Sequence, residues 1–197
     1  METQTFVFFG PAGSGKGTQI NLLTDYLKAK DGKECIYAGT GEGFRALVKN
    51  ENFTSKIVKE KINKGELVPD FLTTSVFTNI LINSLDESKH LITDGYPRNI
   101  VQSESLEQMM EFFKRENVKI IYIEVSKEEV TKRMLLRARN DDTPESISTR
   151  INLFFNEVLP AMNFFKDKNN FEIISINGEQ SIEKVHEEII KKLGYKN

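Results

Sequence analysis

The run Gly10-Pro11-Ala12-Gly13-Ser14-Gly15-Lys16-Gly17-Thr18 carries the residue types that hold a polyphosphate. Glycine-rich backbone can turn its N–H groups inward around anionic oxygens, and one lysine can reach the outer phosphates. The candidate phosphate contacts are Gly13, Ser14, Gly15, Lys16, Gly17 and Thr18. A strand-to-helix turn that merely needs glycine would not account for Lys16.

A second polar cluster, Asp94-Gly95-Tyr96-Pro97-Arg98, follows the apolar run His90-Leu91-Ile92-Thr93. Asp94 suits a magnesium ion held through water, because magnesium dehydrates reluctantly. Gly95 allows close backbone approach, Pro97 stiffens the turn, and Arg98 can grip phosphate with two parallel donors. Arg133 and Arg137 stand four apart, on one face of a helix, where like charges repel unless a polyanion sits over them. Lysine, arginine and magnesium together suit phosphoryl transfer, in which a protein mainly positions two groups and neutralises charge.

The elements that must position these residues alternate. Strands are expected at Phe6–Phe9, Glu34–Tyr37, His90–Thr93, Lys119–Val125 and Phe171–Ile176. Helices are expected at Lys16–Lys30, Gly43–Val48, Thr54–Lys64, Asp70–Leu85, Ser103–Glu116, Lys127–Arg139, Thr143–Asp167 and Ser181–Leu193. Asp70 reads as an N-cap after Pro69, and Thr143-Pro144 as the start of one long helix. Such alternation predicts an α/β fold: a five-stranded parallel sheet with helices on both faces, in three layers. Ligands then bind beyond the carboxyl ends of the strands, where both polar clusters fall.

At 197 residues the chain fits one domain, and 29 acidic against 27 basic residues argue against bulk nucleic-acid binding. No apolar run approaches a membrane span, and Met1-Glu2-Thr3-Gln4 does not open a signal peptide. The lone Cys35 reads as a small core residue and fits a cytoplasmic setting. His90 and His186 read as structural or surface residues, and Arg115 as a surface residue in a charged helix end.

On these residues the chain resembles the nucleoside monophosphate kinase family, most closely its adenylate kinase branch, nearly end to end. The resemblance implies the P-loop NTPase fold, with Gly10–Gln19 as the ATP loop; Gly17 before Thr18, where other P-loops place Ser or Thr, recurs in this family. It also implies one kinase domain over 1–197, with a monophosphate-binding segment over 39–68. Thr40-Gly41-Glu42-Gly43-Phe44-Arg45 is similar to the family's Thr-Gly-Asp-x-x-Arg segment, in which Thr and Arg contact the monophosphate. By the same resemblance the AMP contacts are Thr40, Arg45, Glu66, Leu67, Val68, Gly95, Tyr96, Pro97, Arg98, Gln102, Arg139 and Arg150. The ATP contacts beyond the loop are Arg133, Arg137 and Gln180, whose loop Asn177–Gln180 covers the base. The catalytic set is Lys16, Arg98, Arg137, Arg139 and Arg150, and magnesium is ordered through water by Asp94 and Glu42.

Three positions depart from the family pattern. Only Ala138 separates Arg137 from Arg139, so the lid over ATP shrinks to a vestige at 137–142. Glu42 replaces the usual Asp, and Asn99 resembles the pyrimidine branch. Gln102 and Thr40 nevertheless follow the adenylate form, and a glutamine amide can donate to and accept from an adenine edge at once. The expected activity is reversible transfer from ATP to AMP, giving two ADP, by a monomer. A UMP/CMP kinase, a non-catalytic nucleotide sensor and an NTP hydrolase are the alternatives.

Overall fold

The computed structural model describes residues 2–137 and 142–195. Five strands form one parallel sheet in the order β2-β3-β1-β4-β5. They are β1 (Thr5–Phe9), β2 (Cys35–Gly39), β3 (His90–Asp94), β4 (Val118–Glu124) and β5 (Phe171–Asn177). The helices are α1 (Lys16–Asp31), α2 (Thr40–Val48), α3 (Phe53–Lys64), α4 (Asp70–Ser84), α5 (Ile100–Phe112), α6 (Lys127–Arg137), α7 (Pro144–Leu153), α8 (Leu159–Asn163) and α9 (Ile182–Lys192).

Strand alternation splits the core into two layers. Phe6 and Phe8 of β1, with Ile121 and Ile123 of β4, pack on Leu23 and Leu27 of α1, Met134 of α6 and Ile189 of α9. Val7 and Phe9, with Ile120 and Tyr122, pack on Phe77 and Leu81 of α4 and on Leu106 and Met110 of α5. Both sheet faces are thus covered, and the middle strands are apolar on both sides. A third, small cluster of Phe44, Val58 and Val68 holds α2 and α3 against α4. Successive strands lie to one side of β1 as far as β3 and to the other from β4, which puts the β1 carboxyl end at the switch of the sheet.

Five local expectations are corrected. The stretch expected as one helix over Thr143–Asp167 widens into a π segment at Phe154–Val158 and ends at Asn163. Leu159 N–H donates to Phe154 O, and Pro160, which has no N–H, continues the chain. Asp70 is the first residue of α4 and Pro69 its cap, so the carboxylate is left for side chains elsewhere. Helix α2 starts at Thr40, three residues before Gly43, and α5 at Ile100, capped by the Asn99 side chain, which accepts from Gln102 N–H.

The fifth correction concerns Arg115, which is 5% exposed. Its guanidinium donates to Lys89 O at 2.9 Å and Asp86 O at 2.6 Å, clamping the entry to β3. A planar fork of donors matches two carbonyls, and its alkyl stem tolerates burial. His90 is also structural: fully buried, it accepts from Gln4 N–H at Nδ1 (2.9 Å) and faces Asp31 at Nε2 (3.2 Å).

Candidate active site

Strand β1 delivers the glycine-rich loop to the N-terminus of α1. Gly13 takes φ +85, and a Cβ there would come within 2.9 Å of Met134 Cγ and 3.2 Å of Val130 O, so the loop seats directly on α6. No side chain caps α1, whose first-turn N–H groups are therefore left for an anion. Lys16 Nζ donates to the carbonyls of Gly10 (2.8 Å) and Pro11 (3.1 Å) and stands 4.0 Å from Asp94 Oδ1.

Strand β3 ends beside this loop and supplies the second wall. Gly95 takes φ +75, and a Cβ there would meet Arg98 Nη2 and Thr40 Oγ1, each at 2.8 Å. Its carbonyl accepts from Arg98 Nε and from Thr40 Oγ1, both at 2.8 Å, so one acceptor orients two neighbours. Burial pulls the Arg98 guanidinium below the ordinary arginine range; Asp94 opposes this and Arg150 adds to it. Tyr96 is buried, with its ring stacked on Phe77 at 4.2 Å between centroids and its hydroxyl 3.2 Å from Thr74.

Gln102 is 1% exposed and both ends of its amide are held. Oε1 accepts from Arg98 N–H at 2.9 Å, and Nε2 donates to Asp70 Oδ1 at 2.8 Å. Asp70 Oδ1 also accepts from Asn99 Nδ2 at 2.8 Å. Asn99 therefore has a structural task of its own, as the α5 cap and as a partner of Asp70.

The remaining arginines come from α6 and α7. Arg137 donates to both carboxylate oxygens of Asp142, from 2.9 to 3.0 Å, and Arg150 donates to Asp142 Oδ1 at 2.8 Å. Arg150 also reaches Ile62 O at the end of α3, 3.2 Å away. Arg133 pairs with Glu129 at 2.7 Å and donates to Gly178 O at 3.0 Å, joining α6 to the Asn177–Gln180 loop. The Gln180 side chain turns instead to Glu188 on α9, at 2.7 Å. Arg139 lies outside the described residues, as does most of the vestigial-lid segment.

A single cleft of about 1270 Å³ collects most of these groups. From the loop side it is lined by Gly13, Gly15, Lys16, Gly17, Thr18 and Arg133. The other wall brings Glu42, Arg45, Glu66, Leu67, Val68, Gly95, Pro97 and Gln102, and Asp94, Arg98, Arg137 and Arg150 lie between. Ser14, Thr40, Tyr96 and Gln180 do not line it; the first three are buried behind its surface. The basic groups of the cleft lining include Lys16, Arg45, Arg98, Arg133, Arg137 and Arg150.

A family model described as adenylate kinase matches residues 8–170. The chain is 34% identical to an adenylate kinase from Cyanothece sp. over 179 residues, which is 89% of this chain and 88% of that protein. It is 32% identical to one from Oenococcus oeni over 182 residues (91% and 93% of the two chains). With one from Corynebacterium urealyticum the figure is 33% over 184 residues (92% and 94%). This chain belongs to the adenylate kinase family.

Adenylate kinases are phosphotransferases, and the acids of this cleft fit the metal that accompanies the nucleotide. Asp94 Oδ1 is buried and accepts no hydrogen bond, and Glu42 lines the same cleft. Among the described residues no group of three or more His, Cys, Asp or Glu could hold a metal by itself. A hydrated cation carried in on phosphate oxygens suits two spaced carboxylates.

Sequence reasoning missed two residues of this adenylate kinase site. Tyr37 lines the cleft with its hydroxyl 3.5 Å from Asp94 Oδ2. Burial, then Asp94 and Glu42, push its pKa well up, so the phenol remains a proton donor. Asp70, expected to cap α4, instead anchors Gln102 through its carboxylate. The signal for Tyr37 was faint: a polar aromatic at the end of a strand, two residues before Gly39. Among the described residues no helix is long and apolar enough to cross a membrane.

Proposed function

We propose that this adenylate kinase transfers the terminal phosphoryl group of ATP to AMP, reversibly, giving two ADP, and that it works as a monomer. What supports this reading is the facing of two phosphate grips across one cleft, the Lys16 loop on one side and Arg45 with Arg98 on the other. A module that only binds one nucleotide needs no second grip, and a hydrolase has no use for Gln102.

In this reading the backbone from Gly13 to Thr18 and Lys16 hold the ATP phosphates. Arg98, oriented by the Gly95 carbonyl, and Arg45 hold the AMP phosphate as the attacking group. Arg137 and Arg150 meet the charge that develops on the group in flight, and Asp142 keeps their guanidinium groups together. Arg133 flanks the ATP base beside the Asn177–Gln180 loop, and Gln102 reads the AMP base. Magnesium, held with ATP through water by Asp94 and Glu42, would neutralise phosphate charge and keep the oxygens in line. Residues 39–68, with their own small apolar cluster, act as the monophosphate-binding segment, and 137–142 as the vestigial lid.

The test is a coupled assay with ATP and magnesium against AMP, UMP, CMP and dTMP, with a no-acceptor control. Rapid ADP formation that depends on AMP supports the reading. ADP released in the control points to hydrolysis, and silence throughout points to a sensor.

A further inference from the structure

We propose that Asp70 is a specificity-determining positioning residue: with the Arg98 backbone N–H it locks the Gln102 amide in one orientation, selecting amino-bearing over oxo-bearing bases. The inference rests on the reading of Gln102 as the AMP-base contact.

The lock follows from which groups can only donate or only accept. Arg98 N–H is a donor, so the amide atom facing it at 2.9 Å must be the oxygen. The Asp70 carboxylate is an acceptor, so the atom facing it at 2.8 Å must be the nitrogen. Asn99 donates to the same Asp70 oxygen, which fixes that acceptor in place. Turning the amide over would set donor against donor at Arg98 and acceptor against acceptor at Asp70. Gln102 is almost fully buried, so water cannot repair either clash.

In the locked orientation each amide atom keeps one valence beyond these two contacts, a lone pair on Oε1 and one N–H on Nε2, and Gln102 lines the cleft. That pair accepts from an exocyclic amino group and donates to the adjacent ring nitrogen. Adenine presents this pattern at N6 and N1, and cytosine presents it at N4 and N3. Hypoxanthine and guanine present the reverse, a carbonyl beside a ring N–H, and so does uracil. The selection is therefore between amino and oxo edges, and purine or pyrimidine size must be judged by other walls. Asn99, which resembles the pyrimidine branch in sequence, reinforces the lock without choosing ring size.

The experiment compares IMP with AMP, which differ at this edge alone, and UMP with CMP, using the full chain, ATP and magnesium. The wild type should favour AMP over IMP in kcat/KM by at least about a hundredfold, as expected when two buried contacts are mismatched. CMP should exceed UMP in the same sense. Asp70→Ala removes one half of the lock, and its AMP-to-IMP ratio should fall about tenfold. Asp70→Asn retains an oxygen able to accept both amides and should restore most of that ratio. Calorimetric binding of AMP and IMP to the same variants should show the same changes without turnover. Comparable use of IMP and AMP by the wild type overturns the lock with no variant needed. So does an unchanged ratio in a folded Asp70→Ala protein. A wild type with no transfer to AMP at all overturns the underlying functional reading instead.

Discussion

The ring of Tyr37 occupies the space that a side chain at Gly39 would need: a Cβ there would come within 2.5 Å of three Tyr37 atoms. Parallel pairing of β2 with β3 sets Gly39 opposite Asp94, so the same ring that covers Gly39 carries its hydroxyl to the Asp94 carboxylate. Glycine at 39, tyrosine at 37 and aspartate at 94 are one steric and polar unit, with Tyr37 and Asp94 on the cleft wall.

That unit predicts a coupled mutational effect. Gly39→Ala should displace the Tyr37 ring and lower kcat by about tenfold, a rise of roughly 1.4 kcal/mol in the barrier. In a Tyr37→Ala background the same Gly39→Ala change should cost almost nothing further, because the clash is gone. Tyr37→Phe, which keeps the ring and removes the hydroxyl, separates packing from hydrogen bonding. Additive losses in the double variant would show that the two positions act independently.

Arg98 carries the sharpest catalytic prediction. Its Nε donates to Gly95 O, and it lines the same cleft as Lys16 and Arg45. Arg98→Ala should reduce kcat by about 10²–10³-fold or more while the melting temperature changes little, since positioning and charge go together. Arg98→Lys should recover only a small part, because an ammonium cannot reproduce the bidentate grip. Steady-state kinetics with circular-dichroism melting checks both, and near-normal turnover in Arg98→Ala would remove the residue from the mechanism.

The parts of this molecule that were legible in the sequence are those encoded locally. Phe6–Phe9 and Lys119–Val125 are apolar runs that can only be buried strands, and the loop at Gly10–Thr18 carries its chemistry within nine consecutive positions. Residues whose meaning depends on distant partners were not legible. Asp70 looks like a helix cap until the fold brings Gln102, 32 positions away, onto its carboxylate. Tyr37 acquires a role only from Asp94, 57 positions on. The break at Phe154–Val158 did have a local signal in Pro160, outweighed by the apolar periodicity around it.

Arg115 shows the same non-locality and gives a stability prediction. Its charged neighbours suggest solvent, yet its guanidinium ties carbonyls 26 and 29 positions back. Arg115→Ala should remove both hydrogen bonds together with the packing of a buried side chain, and cost about 1–3 kcal/mol of folding stability. Arg115→Lys should remain destabilised, for lack of a second donor arm. Denaturant unfolding measures the loss, and because Arg115 lies far from the cleft, turnover of folded protein at low temperature should be close to normal.

The buried His90 makes stability depend on pH. Gln4 N–H donates to Nδ1, so neutral His90 carries its proton on Nε2, toward Asp31. Burial holds the His90 pKa below its ordinary value, despite the opposing pull of Asp31. The unfolded chain, with a histidine pKa of about 6.5, therefore takes up the proton first. The stability contributed by neutral His90 is complete well above pH 6.5 and is lost as pH falls from there toward the folded-state pKa. The slope is at most about 1.4 kcal/mol per pH unit for one histidine. His186, also lowered by burial, adds in the same direction. His90→Gln can accept from Gln4 N–H and donate to Asp31 without titrating, so thermal melts between pH 7 and pH 5.5 should fall less steeply in that variant than in the wild type. Parallel slopes for the two proteins would show that His90 is not the titrating group.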